Sequence, residues 1–130
     1  MVVDASVVTA ALVDSGRHGG WARDQFAAGQ AIVAPHHMPV EVTSALRRLV
    51  TSGLVSAHDA EAALAQLLLV DVELYPFEPL ADRIWQLRDN LTTYDAWYVA
   101  LAETHTVPLA TLDTRLTSAP GPRCAFIVFE

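Results

Sequence analysis

Short apolar runs alternate along the chain with longer stretches of helical periodicity. The runs rich in valine, isoleucine and leucine predict strands at 1–4 (MVVD), 31–34 (AIVA), 70–75 (VDVELY), 107–111 (VPLAT) and 125–129 (AFIVF). The longer stretches predict helices at 5–14, 20–29, 37–52, 56–68, 79–89, 93–105 and 113–118. Strands alternating with helices are typical of α/β proteins, so we expect three layers: a central, mostly parallel sheet of about five strands, flanked by helices.

The composition places this sheet in a single soluble domain. A chain of 130 residues is long enough for one core and buries roughly two-thirds of its unfolded surface. Although 52% of the residues are hydrophobic, no stretch approaches the about 20 uncharged apolar residues that span a bilayer. The opening MVVDASVVTAALV has no basic segment and contains Asp4, so we expect a strand and a helix rather than a signal peptide. Because Cys124 has no second cysteine to pair with, we expect a reducing compartment, the cytoplasm.

The charge pattern limits the function classes. The net charge is −7, and all eight basic residues are arginine. This balance argues against loose coating of nucleic acid, whose affinity comes largely from neutralised phosphates. A nuclease is still allowed, because bound divalent cations reverse the local field where a phosphate must lie. Receiver domains and P-loop NTPases both need a lysine at the site, and the chain has none.

Acidic residues follow the predicted strands or lie beside apolar helix faces. Asp4 ends the first strand and Asp113 follows the fourth, so both belong at the carboxyl edge of a parallel sheet, where ligands bind. Glu41 and Asp95 are offset from the apolar stripes of their helices and can face a cleft. If the four converge, their mutual repulsion must raise pKa values or recruit a cation. An all-oxygen acidic site without cysteine suits Mg²⁺ or Mn²⁺.

Each carboxylate also has a purely structural interpretation. Asp4 and Asp113 are suited to cap the helices that follow them. Thr92 and Asp95 have the spacing of a capping box, and Glu41 could be a solvated helix residue. Capping and metal binding are compatible, because a helix N-terminus tolerates negative charge.

Two hydroxyl residues accompany the acidic set. Ser6 lies two residues after Asp4, and Thr111 lies two residues before Asp113. Either could hydrogen-bond a carboxylate or a metal-bound water, or serve as a local cap.

Other polar and aromatic residues have weaker functional interpretations. Arg17, Arg88 and Arg115 could bind RNA phosphates or be solvated surface residues. The adjacent His36 and His37 point apart on any regular element, which favours a surface loop or helix start over a metal site. The larger aromatic side chains follow helical stripes and are expected in the core or in dimer contacts rather than as base-stacking platforms; they are Trp21, Trp85, Tyr94, Trp97 and Tyr98.

Four segments together carry a family resemblance. These are VVDASVV at the start, the Glu41 helix after a strand, TTYDAWYVALAE, and LATLDTRL near the end. In this order and spacing, across essentially the whole chain, they resemble PIN-domain proteins, specifically toxins of the VapC type. The resemblance implies a Mg²⁺- or Mn²⁺-dependent endoribonuclease with metal-site positions at Asp4, Glu41, Asp95 and Asp113. It implies polar support from Ser6 and Thr111.

The same resemblance implies partners. A VapC-type toxin pairs with a cognate VapB-type antitoxin, whose tail enters the acidic groove and blocks it. It is also expected to form a homodimer, with a heterotetramer or larger complex when the antitoxin is bound, and to act on RNA.

Three rival functions are compatible with parts of the pattern. A haloacid-dehalogenase-type phosphatase also has an Asp after its first strand, but it needs a second acidic residue where this chain has Ser6. A PIN-fold module could bind a partner without cleaving RNA. A PIN nuclease could also act outside a toxin–antitoxin pair.

Overall fold

The structure, a computed structural model, describes residues 1–130 as five strands, seven α-helices and one 3₁₀ turn. The strands are β1 Val2–Val3, β2 Val33–Pro35, β3 Glu73–Tyr75, β4 Leu109–Thr111 and β5 Phe126–Val128. The helices are α1 Ala5–Val13, α2 Arg17–Ala27, α3 Met38–Thr51, α4 Ala57–Leu67, α5 Ala81–Gln86, α6 Thr93–His105 and α7 Thr114–Ser118, and the 3₁₀ turn is Glu78–Leu80. None of the helices combines the length and apolar character needed to cross a membrane.

All five strands form one parallel sheet in the order β3-β2-β1-β4-β5. The central strand β1 pairs Val2 with Val33 on one side and with Leu109 on the other. From β1 the chain adds β2 and β3 in one direction, then crosses back and adds β4 and β5 in the other. The sheet therefore has a topological switch point between β1 and β4. The α/β fold predicted from the sequence is confirmed, with every strand pair parallel.

The core explains why the strands are apolar throughout. Val2, Val3, Leu109 and Ala110 are each 0% exposed, as expected for parallel strands covered on both faces. Helix α1 packs against α2, α3 and α4, whereas α6 packs against α5 and the central strands. These helices enclose one cluster of 27 buried apolar residues.

The predicted boundaries differ from the structure in three places. The strands have only two or three residues each, β3 and β4 pair only the last three residues of their runs, and β2 is shifted to end at Pro35, one residue beyond its run. Helix α2 begins at Arg17, three residues before the predicted start, and includes Gly19 and Gly20, which usually weaken helices. The helix predicted over 79–89 is a 3₁₀ turn followed by the short α5.

Candidate active site

The switch point brings two acidic residues together from distant parts of the chain. Asp4 follows β1, and Asp113 follows β4 after one intervening leucine. Because β1 and β4 are adjacent and parallel, both residues lie at the same carboxyl edge of the sheet. In open α/β sheets this crevice is where ligands bind.

Asp4 is a buried carboxylate held by hydrogen bonds at both oxygens. Its side chain caps α1 by accepting from the Val7 backbone N–H at 3.2 Å. Ser6 donates to Oδ1, and Thr111 donates to Oδ2. Asp4 and Thr111 are the buried polar residues of the molecule, at 6% and 1% exposure. Burial raises the pKa of Asp4 to about 6, with a smaller contribution from the nearby Asp95 charge and against the effect of the three donors.

Ser6 and Thr111 also bind the backbone of the segment that carries Asp113. The Leu112 N–H donates to the Ser6 hydroxyl at 3.1 Å, and the Asp113 N–H donates to the Thr111 hydroxyl at 2.9 Å. Each hydroxyl therefore connects Asp4 to the β4–α7 segment. Of the alternatives left open by the sequence, the structure favours the one in which both hydroxyls bond a carboxylate.

Asp95 lies in the first turn of α6, and Asp113 is the N-cap of α7. The Asp95 N–H donates to the Thr92 hydroxyl at 3.1 Å, so Thr92 caps α6. Asp113 caps α7 by accepting from the Arg115 N–H at 2.9 Å. Burial raises the pKa of Asp95, and the charges of Asp113 and Glu41 raise it further. The Asp113 cap is confirmed, as is the Thr92 half of the capping box, and neither removes these carboxylates from the site.

Glu41 enters the site from the first turn of α3. The Tyr98 hydroxyl donates to Glu41 Oε1 at 2.7 Å, and His37 Nε2 lies 2.8 Å from the same oxygen. Burial opposes ionisation of Glu41, but the contacts with His37 and Tyr98 outweigh it, so its pKa lies below the ordinary value. In turn, burial and the Glu41 charge raise the pKa of Tyr98, which keeps its hydroxyl protonated as a donor.

The four carboxylates line one cavity of about 640 Å³. Two basic side chains, Arg48 and Arg115, line it as well. The candidate ligand atoms of the four acidic residues are all carboxylate oxygens. The raised pKa values of Asp4 and Asp95 reflect burial together with repulsion from neighbouring carboxylates. This chemistry fits a hard divalent cation. No three acidic or histidine side chains are grouped tightly enough to hold an ion as they stand, so an ion would have to draw the carboxylates closer.

Three predictions about other side chains need correction. His37 does lie at a helix start, as the N-cap of α3, but not on the surface: its side chain is 12% exposed, because its ring packs on Trp97 and Tyr98 beside Glu41. Trp85 and Tyr94 are not in the core, with exposed fractions of 67% and 60%, so of the two predicted roles only the dimer contact is left for them as a prediction. A helical stripe identifies a face, but which face is covered depends on the neighbouring helices.

The arginines are also distributed differently from the prediction. Of the three proposed phosphate-binding residues, only Arg115 lines the acidic cavity. Arg17 lies over the ring of Phe129, and Arg88 lies over the ring of Trp85. Arg48 was missed by the sequence analysis. Its position seven residues after Glu41, on the same face of α3, is the signal that could have identified it.

Comparison with known proteins agrees with this architecture. The family model described as PIN domain matches residues 1–122. The chain is 44% identical over 124 residues to ribonuclease VapC1 of Mycobacterium tuberculosis, covering 95% of this chain and 92% of the relative. It is 40% identical over 128 residues to ribonuclease VapC9 of the same organism, covering 98% and 97%.

A solved structure shares the fold. The crystal structure of VapBC2 from Rickettsia felis, bound to a DNA fragment from their promoter, superposes with a TM-score of 0.70 at 11% identity, covering 99% of this chain and 98% of that one. At that identity the likeness concerns the fold alone. The family model and the relatives with 40% or more identity decide the assignment. The chain therefore belongs to the PIN-domain family and, within it, to the VapC ribonucleases.

Proposed function

We propose that this protein is the toxin of a VapBC-type toxin–antitoxin pair and acts as a Mg²⁺- or Mn²⁺-dependent endoribonuclease. The observation that carries the proposal is the convergence of Asp4, Glu41, Asp95 and Asp113, from four separate elements, on one cavity at the switch point. The names of the VapC1 and VapC9 relatives, both ribonucleases, support RNA as the substrate.

The four carboxylates are the proposed ligands of the ion. A divalent cation bound there would supply water activation and would stabilise negative charge on the phosphate. Asp4 is the best-ordered ligand, because Ser6, Thr111 and the α1 N-terminus hold both of its oxygens. In the proposed reaction the water oxygen loses a proton and bonds to phosphorus as the bond to the 3′ oxygen breaks, and the departing 3′ oxygen takes up a proton from solvent, leaving 5′-phosphate and 3′-hydroxyl ends.

Arg48 and Arg115 are the proposed phosphate contacts. Both are exposed side chains on the wall of the acidic cavity. Arg115 is 93% exposed and lies 3.6 Å from an oxygen of Asp113, so only a weak ion pair restrains it. These side chains can bind the RNA backbone while the carboxylates hold the ion.

The proposed partner is a VapB-type antitoxin. The Rickettsia felis relative in fold was solved as a VapBC assembly. A basic antitoxin side chain entering the cavity would neutralise carboxylates that repel one another, as a cation would. We also propose a homodimer, and a heterotetramer or larger complex with antitoxin. Light scattering should give twice the chain mass for the toxin alone.

Cleavage of a labelled RNA with end-mapping tests the activity. We expect wild-type protein with Mn²⁺ to cut, excess EDTA to stop cutting, and Asp4→Asn to lower the rate at least about 100-fold, because a ligand held on both oxygens is altered. Asp24→Asn is the matched control, since Asp24 is exposed on α2 and outside the cavity. Equal cutting in EDTA, or products with 2′,3′-cyclic phosphates, would contradict the proposal.

The biological claim needs its own experiment. Expression of the wild-type chain alone should arrest growth, and co-expression of its antitoxin should restore it. Asp4→Asn should be tolerated at the same protein level. If the cleaving wild type leaves growth unchanged, the protein is a PIN nuclease outside a toxin–antitoxin pair. Antitoxin binding without any RNA cleavage would indicate an interaction module.

A further inference from the structure

Glu41 is held through one of its two carboxylate oxygens. Tyr98 and His37 both contact Oε1, at 2.7 and 2.8 Å. The structure contains no hydrogen bond to Oε2. Since Glu41 lines the acidic cavity, Oε2 is the oxygen available to a ligand there.

Tyr98 is a rigid support for this contact. It lies on α6, 57 residues away from Glu41 along the chain, and is 1% exposed. A side chain this deeply packed has little rotational freedom, so its hydroxyl is already in place before any ligand arrives. The hydrogen bond therefore connects α3 to the centre of the core.

His37 is held by aromatic packing. Its ring stacks on Trp97 with centroids 4.5 Å apart and an interplanar angle of 25°. It also lies 4.9 Å from the Tyr98 ring in a tilted arrangement. Neither ring nitrogen of His37 meets hydrogen-bond geometry with any partner, so these ring contacts set the direction of Nε2, which lies 2.8 Å from Glu41 Oε1 as an ion-pair contact.

Such an arrangement changes how Glu41 can bind a cation. A free glutamate side chain loses rotamer entropy when it is immobilised. Contacts that immobilise it beforehand reduce this loss on binding, as outer partners of metal ligands do in many proteins. Asp4 has comparable support from Ser6 and Thr111, but that support involves both oxygens.

We propose that Tyr98 and His37 are positioning residues that hold Glu41 through Oε1 and present Oε2 to the divalent cation. This inference rests on the proposed function, because it takes Glu41 to be a metal ligand. Neither residue touches the ion or the RNA in this arrangement. They act only through Glu41.

Calorimetric titration of the purified protein with Mn²⁺, without RNA, tests the proposal. Tyr98→Phe removes the hydroxyl and keeps the ring, and we expect about tenfold weaker binding. Tyr94→Phe is the matched control: Tyr94 is on the same helix, 60% exposed and without a hydrogen bond to its hydroxyl, so binding should not change. His37→Phe, which keeps the stacking on Trp97, should also weaken binding. If Tyr98→Phe does not fold, the Mn²⁺ affinity of His37→Phe tests the proposal instead.

A double-mutant cycle separates positioning from a general structural effect. In a Glu41→Gln background, Tyr98→Phe should cause no further loss of Mn²⁺ affinity, because its target is already altered. Thermal unfolding in EDTA reports any structural cost separately. Unchanged Mn²⁺ binding by Tyr98→Phe, or an equal loss in both backgrounds, overturns the inference and leaves the proposed function standing. If wild-type protein binds no Mn²⁺, the proposed function itself fails.

Discussion

Ionisation of the buried Asp4 carboxylate lowers the stability of the folded protein. Its three hydrogen-bond donors favour ionisation, but burial dominates and raises its pKa to about 6 from 3.8. Because folded protein binds this proton more tightly than unfolded chain, the Asp4 contribution to the free energy of unfolding is complete below about pH 4. It falls as pH rises to about 6 and stays low above that.

The stability of Asp4→Asn relative to wild type, in metal-free protein, should therefore increase as pH rises. Asn does not ionise, so the wild-type loss between about pH 4 and 6 is absent, and the difference should shift toward the variant by the order of 3 kcal/mol across that range. A constant offset is added to this shift, because the Asn NH2 replaces one oxygen that accepts a hydrogen bond in Asp4. Urea unfolding in EDTA from pH 4 to 7.5 measures the difference between the two proteins. Glu41 and Glu103, whose lowered pKa values give the opposite pH dependence, are present in both.

The Asp24→Asn variant is the control for this pH series, because Asp24 is exposed and its curve should follow that of wild type. A difference between Asp4→Asn and wild type that is constant with pH, or that favours wild type increasingly as pH rises, would show that burial does not control Asp4.

The contact between helices α1 and α2 explains why α2 begins earlier than its sequence pattern predicts. The sequence predicts α2 from residue 20, but the helix begins at Arg17 and places Gly19 against the end of α1. A Cβ atom at Gly19 would lie 1.8 Å from the Asp14 carbonyl oxygen. Glycine is required there by the close approach of Gly19 to the end of α1 across the short α1–α2 connection, a tertiary feature that helix propensity does not contain.

Gly19→Ala should lower the free energy of unfolding by about 3 kcal/mol, since backbone atoms must move apart to admit the methyl group. Gly20→Ala is the matched control. A Cβ at Gly20 meets nothing within 4 Å, and alanine is the better helix former by about 1 kcal/mol, so that variant should gain stability. Urea denaturation midpoints of both variants check the pair. Equal effects at the two positions would contradict the close approach of α1 and α2.

For the whole molecule, charge distribution matters more than net charge. The chain carries −7 overall, yet two arginines line the acidic cavity. An acidic protein can bind RNA at such a place when a cation offsets the carboxylates, while the rest of its surface repels nucleic acid. Binding should therefore be confined to the cavity.

Arg48→Gln tests this distribution. Loss of one phosphate contact should raise KM for RNA about fivefold, as expected for roughly 1 kcal/mol, with kcat little changed. The slope of log(kcat/KM) against log salt should become shallower by about 0.7. Arg47→Gln is the control, because Arg47 is adjacent on α3 but lines a different cavity. If both variants behave alike, RNA binding does not depend on the acidic cavity.

Much of the architecture follows from local patterns. A strand lies within or overlaps each of the five apolar runs, and the helix predicted over 93–105 has those bounds in the structure. The capping roles of Asp4, Asp113 and Thr92 follow from residue type and position alone. The metal-binding role of the carboxylates, the single-domain organisation and the cytoplasmic location stay predictions.

The sequence by itself determined the parallel α/β class, the order of its elements, and the placement of Asp4 and Asp113 at strand ends, because periodicity and capping are local properties. Only the tertiary structure decided which helix faces meet. It brought His37 and Tyr98 onto Glu41, placed Arg48 in the cavity, and left Trp85 exposed. These outcomes depend on contacts between residues far apart along the chain, such as the 57 residues that separate Glu41 from Tyr98, which local patterns do not contain.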